Sequence, residues 1–284
     1  MKLTRKKVLF VSTVIGTRWQ VYSQALIRHA SFDAEFCLID GTCDWHPLNF
    51  LDKAFDFQSD YIVHIDEDCF LVDPAGLSEL IEKLESLDGH IMAGTPDGGV
   101  PWRVHNPVAC NLFMTVFKTK PLRALLEESE PNWRKMTFEP RWMQATEADW
   151  RSPQSGQNPF QFDECEPYYP LFWLILSSGW RILYLKVEYN LDRRSSDVLA
   201  IESSRPIAFH MWHLRYWCHS QVDPNIGLSN LVRYERAKVF MDSIIAVDFM
   251  LRMRLYREYG RLLWQRGLRR LSRSFLFSKR ESLH

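Results

Sequence analysis

No CxxC pair occurs in the chain. Its six cysteines, Cys37, Cys43, Cys69, Cys110, Cys165 and Cys218, are scattered without metal-ligand spacing. They read as reduced thiols of a cytosolic protein rather than as a disulfide framework. Long hydrophobic runs are missing too. Val8 to Val11 is too short for a signal segment and follows Lys2, Arg5, Lys6 and Lys7; the apolar stretch from Val239 to Leu251 is broken by Asp242 and Asp248. The expectation is a protein that is neither secreted nor membrane-spanning. Net charge is also lacking, since 35 Lys+Arg balance 35 Asp+Glu. There is no internal repeat and no low-complexity segment.

The zero net charge hides an asymmetry. Residues 251 to 284 carry ten basic side chains against Glu258 and Glu281, so this segment is +8 and the rest of the chain −8. A basic, amphipathic, aromatic-bearing end on an acidic body points to an anionic lipid surface, which would place the protein in the cytoplasm, peripheral on the inner face of a membrane. Basic arms also bind nucleic acid, but no nucleic-acid motif accompanies this one. At 284 residues with 46% hydrophobic residues, one sizeable α/β domain with an appendage is expected, here divided as 1–222 and a basic helical extension at 223–284.

Along the first half, strand and helix patterns alternate, as in a parallel or mostly parallel sheet. Strands are expected at Lys7 to Val14, Glu35 to Ile39, Tyr61 to Ile65 and His90 to Gly94, with helices at Arg18 to His29, Leu48 to Phe57 and Gly76 to Leu87. An apolar run spans Val108 to Phe117. The stretch from Glu127 to Phe162 has four prolines and no steady period, which suggests a lid or binding loop. A short buried helix at Pro170 to Ser177 and strands at Arg181 to Val187 and Pro206 to Phe209 follow, then helix from Leu228 to about Phe277, interrupted at Gly260 and Gly267.

The chemistry concentrates where the third strand runs into Asp66-Glu67-Asp68. Three adjacent carboxylates repel one another, and the carboxyl edge of an open α/β sheet is where ligands bind. Hard carboxylate oxygens, completed by phosphate oxygens, suit Mg²⁺ or Mn²⁺. The plainer alternative is a solvated corner with acidic turn residues.

An apolar strand, then Asp-x-Asp, then an apolar pair resembles the DxD motif of GT-A glycosyltransferases, and the order of elements matches over approximately residues 7 to 217. The resemblance implies a Rossmann-like mixed sheet flanked by helices with a C-terminal helical tail. The activity it implies is transfer of a sugar from a nucleotide-diphosphate donor, a UDP-sugar foremost, to a glycan or lipid-linked acceptor, with Mn²⁺ or Mg²⁺. It implies that Asp68 binds the metal and that Asp66 contacts the metal or the donor ribose, with Glu67 at the variable position. A late histidine would complete the metal shell, with His210 at the end of its strand or His213 as candidates; either could equally be a buried histidine among aromatics. Asp163 and Glu164, ahead of the short helix, are the candidate bases, with Glu166 behind them. Acids there are also explained by the helix N-terminus alone. Thr13, Asp40, Lys53 and Asn111 are the candidate donor-binding residues. Trp102, Arg103, Trp133, Arg134, Trp142 and Trp150 are acceptor-stacking candidates that could as well be core. Two other readings are a sugar nucleotidyltransferase, although Ser12 to Arg18 has only one glycine for a phosphate loop, and a non-catalytic membrane-docking protein that keeps the fold.

Overall fold

The computed structural model describes residues 6–30, 34–42, 46–98, 105–145, 161–190, 195–212, 214 and 230–264. Its frame begins with β1 (Val8–Val14), α1 (Arg18–His29), β2 (Ala34–Asp40), α2 (Asn49–Ala54) and β3 (Tyr61–Ile65). β1 lies between β2 and β3 and runs parallel to both. Alternation along these strands divides the core. Leu9, Val11 and Ile62 join Phe50 and Leu51 of α2 on one face, while Val8, Phe10, Tyr61, Val63 and Ile65 join the other. This follows from the two-residue period of a strand buried on both faces.

After β3 the chain turns through residues 66–68 into β4 (Cys69–Leu71), then α3 (Pro74–Ser86), β5 (His90–Pro96), β6 (Cys110–Lys118) and α4 (Thr119–Glu128). Two 3-10 turns, at Trp133–Lys135 and Pro140–Ala145, come next, and then α5 (Tyr169–Ser177), β7 (Arg181–Tyr184), β8 (Val187–Asn190), β9 (Ser195–Leu199), β10 (Pro206–Met211) and α6 (Asn230–Ala246). A further helix, α7, spans 249–264. The main sheet has six strands in the order β2-β1-β3-β6-β5-β7, and a second sheet has four in the order β4-β10-β9-β8. β6 is antiparallel to β3 and β5, and β5 is parallel to β7. The sheet is therefore mixed, as the resemblance implied.

Several local expectations need correction. The apolar run at 181–187 is two strands in different sheets, because the chain leaves the main sheet after Tyr184. β4 and β9 escaped the sequence reading: a three-residue apolar strand and the polar Ser-Ser-Asp start of β9 carry little periodic signal. Gly260 does not interrupt the C-terminal helix, whose break lies instead at Val247 and Asp248. Part of the irregular stretch is ordered against the core, with Trp142 buried and stacked on Trp173 at 5.4 Å; residues 146–160 lie outside the described residues. α5 is apolar on every side and correspondingly buried from Leu171 to Ile175.

The segment assigned to the extension packs on the sheet domain. Ala237, Met241 and Ile245 of α6 and Leu251 of α7 share a buried cluster with Trp19, Tyr22, Ala25 and Leu26 of α1 and Phe70 of β4. Tyr22 Oη donates to Asp242 at 2.8 Å.

Candidate active site

The acid turn is built by two strands of different sheets. β3 delivers Asp66 at its carboxyl end, and the Asp66 N–H donates to Phe113 O at 2.9 Å, extending the β3–β6 ladder by one residue. The turn closes as Cys69 N–H donates to Asp66 O at 3.0 Å. β4 then pairs antiparallel with β10, with Cys69 opposite His210, while Met211 N–H donates to Asp68 O at 3.0 Å. That ladder brings His210 Nε2 to 3.5 Å from Asp68 Oδ1, both side chains being nearly inaccessible.

Asp66, Asp68 and His210 each offer a ligand atom, all within 4.8 Å of one another. His210 is fixed by packing: it stacks on Phe113 with centroids 4.2 Å apart and meets Trp212 edge-on at 4.5 Å. Trp212 is itself held by its indole N–H donating to Ser196 Oγ at 2.6 Å. The buried His210 Nδ1 has no hydrogen-bond partner among the described residues. Two carboxylates and an imidazole suit a borderline divalent cation such as Mn²⁺. Burying a carboxylate costs several kcal/mol unless a cation or donors offset it, so the donor set fits the expected ion.

Glu67 has a definite job that its position gave no reason to expect. Its side chain is 1% exposed, and Oε2 accepts the Ile15 N–H at 3.2 Å. It ties the acid turn to the loop after β1, at the same carboxyl edge of the sheet. The third carboxylate thus has one oxygen engaged by backbone. Cys69, fully buried beside Asp66 and Asp68, has its thiol pushed well up, first by burial and then by those carboxylates, and so stays neutral.

Other expected residues are distributed along this edge with varied engagement. Thr13 is buried near the end of β1, and Asp40 at the end of β2 accepts from Thr42 N and Oγ1 at 3.0 and 2.6 Å, an Asx-type turn. Lys53 is exposed on α2. Asn111 is spent on structure: its Nδ2 donates to Asp97 at 2.5 Å and its Oδ1 accepts from Phe113 N at 3.0 Å. Asp97, fully buried, also accepts from Tyr168 and Tyr169 at 3.2 and 2.7 Å. Asp97 carries no local signal of this role, because the two tyrosines that donate to it lie some seventy residues away.

Of the candidate bases, Glu164 accepts from the Trp173 indole N–H at 2.9 Å and from Phe138 N–H, which makes it a brace for the aromatic cluster. Asp163 Oδ2 takes the Nδ1 hydrogen of His105 at 3.0 Å. Glu166 and Cys165 stand with His105 in a second group whose ligand atoms lie within 4.8 Å. His213, Trp102, Arg103 and Trp150 lie outside the described residues.

A scan of protein-family models and a search of curated proteins each return no match. Among solved structures, the chain is similar to a glycosyltransferase involved in the glycosylation of the major capsid of PBCV-1, at 12% identity, over 44% of this chain and 69% of that one, with a TM-score of 0.29. It is similar to A197 from STIV at 13% identity over 71% and 93% of the two chains, with a TM-score of 0.33. A mannosyltransferase from Pyrobaculum calidifontis in complex with GDP-Man and Mn²⁺ aligns at 11% identity over 92% and 88%, with a TM-score of 0.40. With identity and scores this low, the class of the fold rests on the strand order itself: a mixed α/β sheet with the acid turn on its carboxyl edge.

Proposed function

We propose that the protein is a metal-dependent glycosyltransferase that takes a sugar from a nucleoside-diphosphate donor. The observation that carries this reading is the convergence of Asp66, Asp68 and His210, from two sheets, at the carboxyl edge. These three residues would hold Mn²⁺ or Mg²⁺, which supplies neutralisation of the charge on a departing nucleoside diphosphate. Phe113 and Trp212 keep the imidazole in place, and Glu67 keeps the β1 loop against the turn. Thr13 and Asp40, at the ends of the neighbouring parallel strands, are proposed to meet the nucleoside. Asp163 is proposed as the acceptor-side base in preference to Glu164, because Glu164 already accepts from two donors. The acceptor is a glycan or a lipid-linked saccharide, and UDP-sugars are the first donors to try.

The test is donor hydrolysis and transfer by purified protein across a panel of UDP- and GDP-sugars, with Mn²⁺, with Mg²⁺ and with EDTA. Metal-dependent turnover that Asp68→Asn lowers by about 100-fold or more supports the reading, a loss of transition-state stabilisation of about 2.7 kcal/mol. Full turnover of Asp68→Asn with Mn²⁺ removes this carboxylate from the reaction.

We further propose that α7 seats the enzyme on an anionic bilayer. At about 100° per residue, Phe249, Met253, Tyr256, Leu263 and Trp264 share one stripe, bordered by Arg252 and Arg257. All five apolar side chains are at least half exposed, while Leu251, Glu258 and Leu262 are buried on the opposite face. A stripe of this kind enters the headgroup layer while its flanking guanidiniums meet lipid phosphates. No helix among the described residues is long and apolar enough to cross a membrane.

A further inference from the structure

His105, Cys165 and Glu166 form a cluster that the glycosyl-transfer reading leaves unused, and Asp163, the acceptor-side base of that reading, touches it through His105. His105 stands just before β6; the other three precede α5. The two segments are fastened together, with Asn106 Nδ2 donating to Asp163 O at 3.4 Å and the buried Asn106 Oδ1 accepting Val108 N–H at 3.0 Å. Gly98 makes room for this arrangement, because a Cβ there would overlap the backbone carbonyl of His105.

The chemistry of the cluster is directional. The Asp163 carboxylate can only accept, so the hydrogen on His105 sits on Nδ1 and the lone pair on Nε2 faces outward. Nε2 faces Cys165 Sγ at 3.6 Å. In a tetrahedral zinc site, Zn–N of ~2.1 Å and Zn–S of ~2.3 Å put nitrogen and sulfur about 3.6 Å apart. The Glu166 carboxylate supplies a third donor within the same 4.8 Å group. A carboxylate on the far nitrogen of a metal-binding histidine is the usual orienting partner, fixing the tautomer and raising the basicity of the ligand.

We propose that His105 Nε2, Cys165 Sγ and Glu166 form a zinc site, with Asp163 orienting the imidazole and a fourth position left for water or a ligand. Binding would release the Cys165 thiol proton and leave a thiolate on the ion. The site is separate from the Asp66, Asp68 and His210 group and does not depend on what reaction that group serves. Its ligands come from positions 60 residues apart, which is why the cysteine spacing showed no sign of it. Its effect on the fold would be to clamp the segment before β6 to the segment before α5.

The test titrates EDTA-treated, metal-free full-length protein with Zn²⁺ against a chromophoric chelator, in an Asp68→Asn background that disables the other metal group. One Zn²⁺ per chain is expected, weakened at least about 100-fold by Cys165→Ser and about 10–100-fold by Asp163→Asn. Co²⁺ in place of zinc should give a cobalt–thiolate absorption in the near ultraviolet that Cys165→Ser abolishes. Equal zinc affinity in the Cys165→Ser and Cys165 forms, or cobalt binding without the thiolate band, overturns the proposal and leaves a metal-free thiol–imidazole pair.

Discussion

The imidazole of His210 lies flat on the ring of Phe113, centroids 4.2 Å apart and planes 11° from parallel. Because the Asp66 N–H donates to the Phe113 carbonyl, the same residue positions one metal-binding candidate through its backbone and another through its side chain. Phe113→Leu keeps the apolar volume and the backbone bond but removes the face on which His210 rests. Mn²⁺ affinity should fall several-fold in Phe113→Leu and by more in His210→Ala, as ligand and support differ in rank. Isothermal titration with Mn²⁺ checks the order. An unchanged affinity in His210→Ala would take the histidine out of the metal shell.

Glu67 gives a prediction of the opposite kind, on stability. Glu67→Ala leaves the Ile15 N–H without its 3.2 Å acceptor, at a cost of about 1–3 kcal/mol. Glu67→Gln keeps an acceptor oxygen and should cost less than about 1 kcal/mol. Urea unfolding of both variants without metal reads the difference. Equal losses would mean that the charge, not the hydrogen bond, is what matters.

A pH dependence follows at the start of α7. Asp248 Oδ1 accepts the N–H groups of Leu251 and Met250 at 3.1 and 2.7 Å, and Oδ2 lies 3.0 Å from His29 Nε2. The Leu251 amide foremost, then that of Met250 and the charge of His29, hold this carboxyl below its ordinary value. A group depressed in the folded state stabilises it above its unfolded pKa, and that contribution is lost as pH falls through the folded pKa. The first turn of α7 should therefore fray on acidification below the usual carboxylate range. Amide exchange at Met250 and Leu251 should accelerate there, and in Asp248→Ala it should be fast at neutral pH as well.

The apolar stripe of α7 makes the fourth prediction. Full-length protein should float with phosphatidylglycerol vesicles, less so as salt is raised, since screening removes the arginine contribution but not the burial. Phe249→Ser with Trp264→Ser should abolish flotation without unfolding, both side chains being 65% or more exposed. Binding of the double variant equal to that of the parent would rule the stripe out.

How far the sequence disclosed this structure varies with the range of the interaction involved. The parallel frame of β1, β2 and β3 was legible because each strand is a contiguous apolar run, and the acid turn was legible because its carboxylates are adjacent in sequence. His210 and His213 could both be named, and only the placement of His210 at a strand end separated them. What could not be read were partners fixed by the meeting of elements far apart in the chain. Cys69 opposite His210 is set by β4 pairing with β10, Ser196 on Trp212 by β9 beside β10, and Tyr169 on Asp97 by α5 meeting the end of β5, which no local period encodes. Asn111, a donor-binding candidate from the sequence, is engaged with Asp97 and the backbone, a role that only the partner carboxylate reveals.

The covering of α1 by α6 bears on how the chain comes off the ribosome. Trp19 and Tyr22 are buried partly by Ala237, Met241 and Ile245, and the Tyr22 hydroxyl finds Asp242 only 220 positions later. While the sheet assembles from its first strands, the outer face of α1 therefore waits, apolar and uncovered, for more than two hundred residues of synthesis. At ~5–20 residues per second that interval lasts on the order of ten seconds or longer, ample time for a holding chaperone to engage it or for two nascent chains to associate through it. Truncation before residue 230 would make that transient surface permanent.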